Sequence, residues 1–179
     1  SCAVFIGQPF QGVHASDTRT MAYLDLAVMT LGNSFTGRLM HEVRDQQGLT
    51  YGIGASVLKQ SDRPSIVVNA SFKTDQLQKG IKATKDILRQ FSEGKIGNDE
   101  LEVARTSIVN ITNTMGLDSK VVARNVLQRM SRGAQVDHSQ RWNIINDPEL
   151  NVDDVRQAVK QALHPDQFRY AAAGTGIGQ

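Results

Sequence analysis

The 179-residue sequence predicts an α+β fold in which an antiparallel β-sheet is covered by helices. Three observations carry this expectation. Its periodic segments run strand, helices, hairpin, several helices, strand. Hydrophobic residues make up 40% and charged residues 21%, the balance of a folded globular chain. No repeat, low-complexity tract or linker interrupts the order, so residues 1–179 read as a single domain large enough to bury a core.

The elements follow in order. Ala3 to Phe10 (AVFIGQPF) is apolar and β-branched, a buried strand. Asp17 is placed to cap a helix whose apolar residues Met21, Leu24, Val28 and Leu31 recur at helical spacing. Gly32 and Asn33 end it, and Asn33 or Ser34 caps the next helix. There Phe35, Leu39 and Val43 fall four apart with Met40 beside them, and Gly48 supplies the left-handed stop.

From Tyr51 to Leu58, residues Tyr51, Ile53, Ala55 and Val57 alternate with Gly52, Gly54, Ser56 and Leu58, a strand with one small-residue face. The Asp62-Arg63-Pro64 turn joins it to a second strand, Ile66 to Phe72, as an antiparallel hairpin. The glycines invite a close approach to the backbone, and a bulge or tight packing explains them equally well.

Thr74 is placed to cap a helix burying Leu77, Ile81, Ile87, Leu88 and Phe91, stopped at Gly94. Asn98 opens another through Leu101, Ala104, Ile108 and Ile111 to Gly116. Asp118 opens a third through Val121, Val122, Val126 and Met130 to Gly133. An irregular stretch around Trp142 and Pro148 precedes a last helix from Asn151 through Val155, Val159 and Leu163. Phe168 to Ala173 is a closing strand, and GTGIGQ is a tail.

Composition and motifs exclude several functions. A net charge of +2, with 20 basic residues scattered among 18 acidic ones, argues against a nucleic-acid binder. The single cysteine, Cys2, leaves the redox compartment open. No apolar run approaches a membrane span. His41-Glu42 opens like the zinc motif H-E-x-x-H, but the residue four after His41 is Asp45, so the second ligand is missing. The inverted H-x-x-E-H is absent, and His14, His41, His138 and His164 share no ligand spacing, so no metal site is expected in this chain. There is no G-x-S-x-G nucleophile motif, and GTGIG leads into no helix that could hold a phosphate.

Arg44 and Tyr51 remain. They sit seven residues apart across the Gly48 reversal, which can bring guanidinium and phenol to one rim. Together they offer a fixed positive charge and several donors, a set that suits a peptide carbonyl, a carboxylate or a developing oxyanion. Arg44 in a last helical turn also suits the helix dipole, and Tyr51 a place at the core rim, so the residues by themselves favour a structural role over the functional one.

The run LGNSFTGRLMHEVRDQQGLTYGIGASV closely resembles the C-terminal half-domain of the insulinase/pitrilysin family of zinc metallopeptidases. Leu31-Gly32, Phe35, Arg38-Leu39, Arg44, Gly48-Leu49 and Tyr51 stand in register with the family pattern, and Asn33 replaces its usual second glycine. The resemblance implies a LuxS/metallohydrolase-like half-domain that has lost the zinc ligands. By that resemblance Arg44 would bond the substrate backbone and Tyr51 the carbonyl and its tetrahedral oxyanion. Gly52 and Gly54, where the strand invites a close approach, are candidate substrate contacts beside them. It implies no cofactor in this domain, and zinc in a homologous H-x-x-E-H-bearing partner domain or subunit that cleaves peptides.

Family half-domains start one strand earlier, so the chain is read as a piece of a longer one lacking its first strand. On its own it would then be inactive, with an apolar face through which copies could self-associate. A non-catalytic scaffold subunit of the same family is the alternative function. A periplasmic location is expected, with the cytoplasm as the alternative.

Overall fold

The computed structural model describes residues 1–32, 37–59, 62–116, 118–130 and 139–174. Its architecture is α+β, as the sequence predicts. Four strands form one antiparallel sheet in the order β2-β3-β1-β4: β1 is Cys2–Pro9, β2 Thr50–Leu58, β3 Ser65–Phe72 and β4 Arg169–Gly174.

Side chains alternate along β1. Cys2, Val4, Ile6 and Gln8 are buried, whereas Phe5 is 56% exposed, so the strand is covered on one face only rather than fully buried. The buried Gln8 is satisfied by a reciprocal pair: its Nε2 donates to the His164 carbonyl at 2.9 Å and its Oε1 accepts the His164 N–H at 3.2 Å.

The helices pack on the face that carries Val4, Ile6, Ile66, Val68 and Phe72. Helix α1 (Thr18–Gly32) is central, because it touches β2, α3, α5 and α6 and is buried without interruption from Leu26 to Gly32. Asp17 caps it as expected, its Oδ1 accepting the Thr20 N–H at 3.1 Å. Helix α2 (Leu77–Ser92) buries the five expected apolar residues and ends at Gly94, where φ is +72°. Thr74 does not cap it. A 3₁₀ turn, Thr74–Gln76, intervenes, and the Thr74 Oγ1 lies 3.6 Å from Cys2 Sγ.

Helix α3 (Asn98–Gly116) buries Leu101, Ala104 and Ile108, but Ile111 near its end is exposed. In α4 (Ser119–Met130) Val122 is exposed as well, so its apolar residues are not all on an inner face. Asp118 does open it, accepting the Lys120 N–H at 2.9 Å. The stretch around Trp142 is more regular than its sequence suggests, forming α5 (Ser139–Asn146) with Ile145 in the core. Asn151 caps α6 (Val152–Ala162) through the Asp153 N–H at 2.9 Å. Gly174 belongs to β4 rather than to a tail. The expected roles of Asn33, Ser34, Phe35, Gly133 and residues 175–179, and of the side chains of Val121, Val126 and Met130, lie outside the described residues.

Candidate functional site

The site is built from α1 outward. Gly32 ends α1 beside β2, where an added Cβ would lie 3.0 Å from the Ala55 nitrogen. A Cβ on Gly37 would lie 2.7 Å from the Gly32 Cα. The chain after α1 therefore crosses it at backbone contact, an approach only glycine permits. Leu39 and Val43, both fully buried, hold the crossing segment against the core.

Arg38 adds a polar clamp. Its side chain, 15% exposed, donates from Nε and Nη2 to Glu100 at 2.7–3.2 Å and from Nη2 to the Lys95 carbonyl at 2.7 Å. Glu100 Oε2 also accepts the Gly97 N–H at 2.7 Å, closing the first turn of α3.

The segment continues as a π-helix, Met40–Gln46, rather than the α-helix its spacing suggests. In this wider turn residues five apart stack, and His41 Nε2 lies 3.0 Å from Gln46 Nε2. His41 thus meets an amide on its own helix face. Among the described residues no group of three or more His, Cys, Asp and Glu side chains is placed to hold a metal ion, so zinc does not fit the described residues of this chain.

Gly48 reverses the chain with φ +62°; its N–H donates to the Arg44 carbonyl at 2.9 Å, and the Leu49 N–H reaches back to the Val43 carbonyl at 3.0 Å. Strand β2 starts at once and is irregular at once. Thr50 pairs with Phe72 and Ile53 with Ala70, so Tyr51 and Gly52 together oppose Ser71. This is a β-bulge. It overturns the expected alternation that placed Tyr51 on the face of Ile53: the buried residues are Thr50 and Ile53, and Tyr51 is turned out, 84% exposed.

The structure exposes the side chains of Arg44 and Tyr51 on either side of the Gly48 reversal. The Arg44 side chain is 44% exposed, its Nε 4.0 Å from Asp45 Oδ1. Tyr51 makes no hydrogen bond within the described residues. A cation, loosely paired with Asp45, and a phenol donor thus both face solvent, where a ligand can reach them.

The two glycines of β2 differ. A Cβ on Gly54 would lie 3.2 Å from the Gly32 carbonyl, which gives Gly54 a packing reason. A Cβ on Gly52 would meet nothing within 4 Å, so space is open beside the bulge. The Arg38–Glu100 clamp escaped the sequence reading, because its partners are 62 residues apart and no local spacing announces them.

Comparison with known proteins finds relatives of this fold. The family model described as the peptidase M16 inactive domain matches residues 1–108. Among solved structures, the peptidase M16 inactive domain from Pseudomonas fluorescens superposes with a TM-score of 0.80 at 23% identity, over 99% of this chain and 42% of that one. The inactive peptidase domain of a candidate zinc protease from Bordetella parapertussis gives a TM-score of 0.79 at 18% identity, over 97% and 92%. A protease from Helicobacter pylori gives 0.75 at 19% identity, over 96% and 40%. At these identities the superpositions show the shared fold. This chain spans less than half the length of the Pseudomonas and Helicobacter chains. No match was found among the curated proteins.

Proposed function

The chain belongs to the family of M16 peptidase inactive domains, and from that premise we propose that it is the substrate-binding half of a zinc endopeptidase. Zinc and the general base would come from a partner domain or chain bearing H-x-x-E-H. This chain's own residues bind and orient. Arg44 holds a substrate backbone carbonyl by a charge-assisted hydrogen bond. Tyr51 donates its phenolic proton in a hydrogen bond to the oxygen that gains charge as the peptide carbon becomes tetrahedral.

One observation carries the reading. Two backbone irregularities, a π-helix and a β-bulge, lie on either side of Gly48, and they bear Arg44 and Tyr51 respectively. Irregularities of both kinds recur at functional sites, where they aim a side chain that regular geometry would place elsewhere. The longer chains of the Pseudomonas and Helicobacter relatives leave room for a second half-domain, which supports a partner of this fold.

The test is hydrolysis of an internally quenched peptide by the zinc-bearing half, alone and with this chain added. Wild type should restore cleavage, and Tyr51→Phe should lower the rate by roughly a hundredfold or more. Arg44→Ala should act chiefly on KM. If a variant lacking both groups binds the partner and restores full cleavage, the chain is a scaffold and the assignment falls.

A further inference from the structure

We infer that Thr50 is a positioning residue for Tyr51: its buried hydroxyl locks the bulge that turns the phenol outward. The inference rests on the role of Tyr51 given above and names what holds that side chain in place.

The geometry is local and complete. Thr50 is 8% exposed and lies on the covered face, opposite Phe72. Its Oγ1 donates to the Ser71 carbonyl at 2.6 Å, with the Gly52 carbonyl as alternate acceptor at 2.9 Å. The same oxygen accepts the Gly52 N–H at 3.1 Å. Ser71 is the residue that the bulge leaves facing two partners. One hydroxyl therefore satisfies backbone groups on both strands where the ladder between them is broken.

Without it the unpaired groups at Gly52 and Ser71 would favour a regular pairing. A one-residue shift of phase moves a strand's side chains to the opposite face. Tyr51 would then turn toward the face of Ile53, which carries the core. Among the described residues no other side chain hydrogen-bonds to the Gly52 or Ser71 backbone, and a Cβ on Gly52 would meet nothing within 4 Å.

Thr50→Val keeps the shape and removes the hydroxyl; Thr50→Ser keeps the hydroxyl. Each is measured in the complex with the zinc-bearing half, using the quenched peptide, in both the Tyr51 and Tyr51→Phe backgrounds. Thr50→Val should lower kcat by roughly tenfold or more with KM little changed, since misplacing a contributing group is costly. Thr50→Ser should restore most of it. In the Tyr51→Phe background Thr50→Val should add almost nothing, because it acts through Tyr51.

Amide exchange in this chain is the second readout: the Gly52 N–H should lose protection in Thr50→Val and keep it in Thr50→Ser. A full loss that persists in the Tyr51→Phe background, or no kinetic loss beside a damaging Tyr51→Phe, overturns the inference. If Tyr51→Phe itself is harmless, the functional reading fails instead. The bulge claim is then overturned by unchanged Gly52 protection in Thr50→Val and upheld by its loss.

Discussion

The Arg38–Glu100 pair joins the segment that leads into the π-helix to the first turn of α3, and its strength can be worked from the structure. Arg38 is 15% exposed and Glu100 36%, so the pair is partly screened. Two unit charges about 4 Å apart attract by about 4 kcal/mol at an effective dielectric constant near 20. Fixing an arginine side chain costs about 2 kcal/mol of rotamer entropy. Water at the open side of Glu100 weakens the attraction further, leaving a coupling of about 1–2 kcal/mol.

A double-mutant cycle measures it: wild type, Arg38→Met, Glu100→Gln and the double variant, each unfolded in urea and followed by circular dichroism. The glutamine can still accept the Gly97 N–H, so that arm isolates the charge. Arg38→Met also strips the Lys95 carbonyl of its 2.7 Å donor, and should cost about 2–3 kcal/mol, a fall in Tm of roughly 4–12 °C for a chain of this size. A coupling energy below about 0.5 kcal/mol would refute the reasoning, since that is what independent sites show.

Gly80→Ala sets two effects against each other. Alanine favours the helix by about 1 kcal/mol, and a contact as close as its Cβ makes with the buried Phe72 ring should cost about 3 kcal/mol. A net loss of about 2 kcal/mol is expected in urea unfolding, and a stabilised variant would show that the ring yields. Lys95 holds the Glu93 carboxyl below its ordinary pKa by a hydrogen bond and by its charge, with Arg89 adding to the effect. Because the folded value is lowered, the contribution to stability is present above the unfolded value and is lost as pH falls through the folded one. An NMR titration should find Glu93 deprotonating at lower pH than in Lys95→Met, and equal midpoints would refute the pairing.

Much of the framework was legible because local chemistry and tertiary role agree. Asp17 and Asn151 cap helices, Gly48 and Gly94 stop them, and the β2–β3 hairpin follows its alternation from Ile53 onward. The misses arise where two geometries share one pattern. Leu39 and Val43, four apart, fit one face of an α- or a π-helix equally well over so short a span. A bulge at Tyr51–Gly52 leaves composition untouched while moving one side chain to the other face. Helix α5 is only eight residues long and weakly amphipathic, so its order comes from packing on α1 rather than from its own periodicity. Arg44 and Tyr51 could be picked out as candidates, but that each sits on an irregular backbone was visible only in the fold.

The sheet order carries a kinetic consequence. Strand β1 lies in the interior of the sheet, with β3 on one side and β4 on the other, and Cys2 pairs with Gly174. Of these four strands, the earliest in chain order must therefore wait for the latest. At about 5–20 residues per second of synthesis, the interval between β1 and β4 is roughly 8–30 s. Through that time one edge of β1 has no native partner, an open template for pairing with other chains. Closing it demands a pairing between the two ends of the described chain, Cys2 with Gly174, which places sheet completion late and slow in folding.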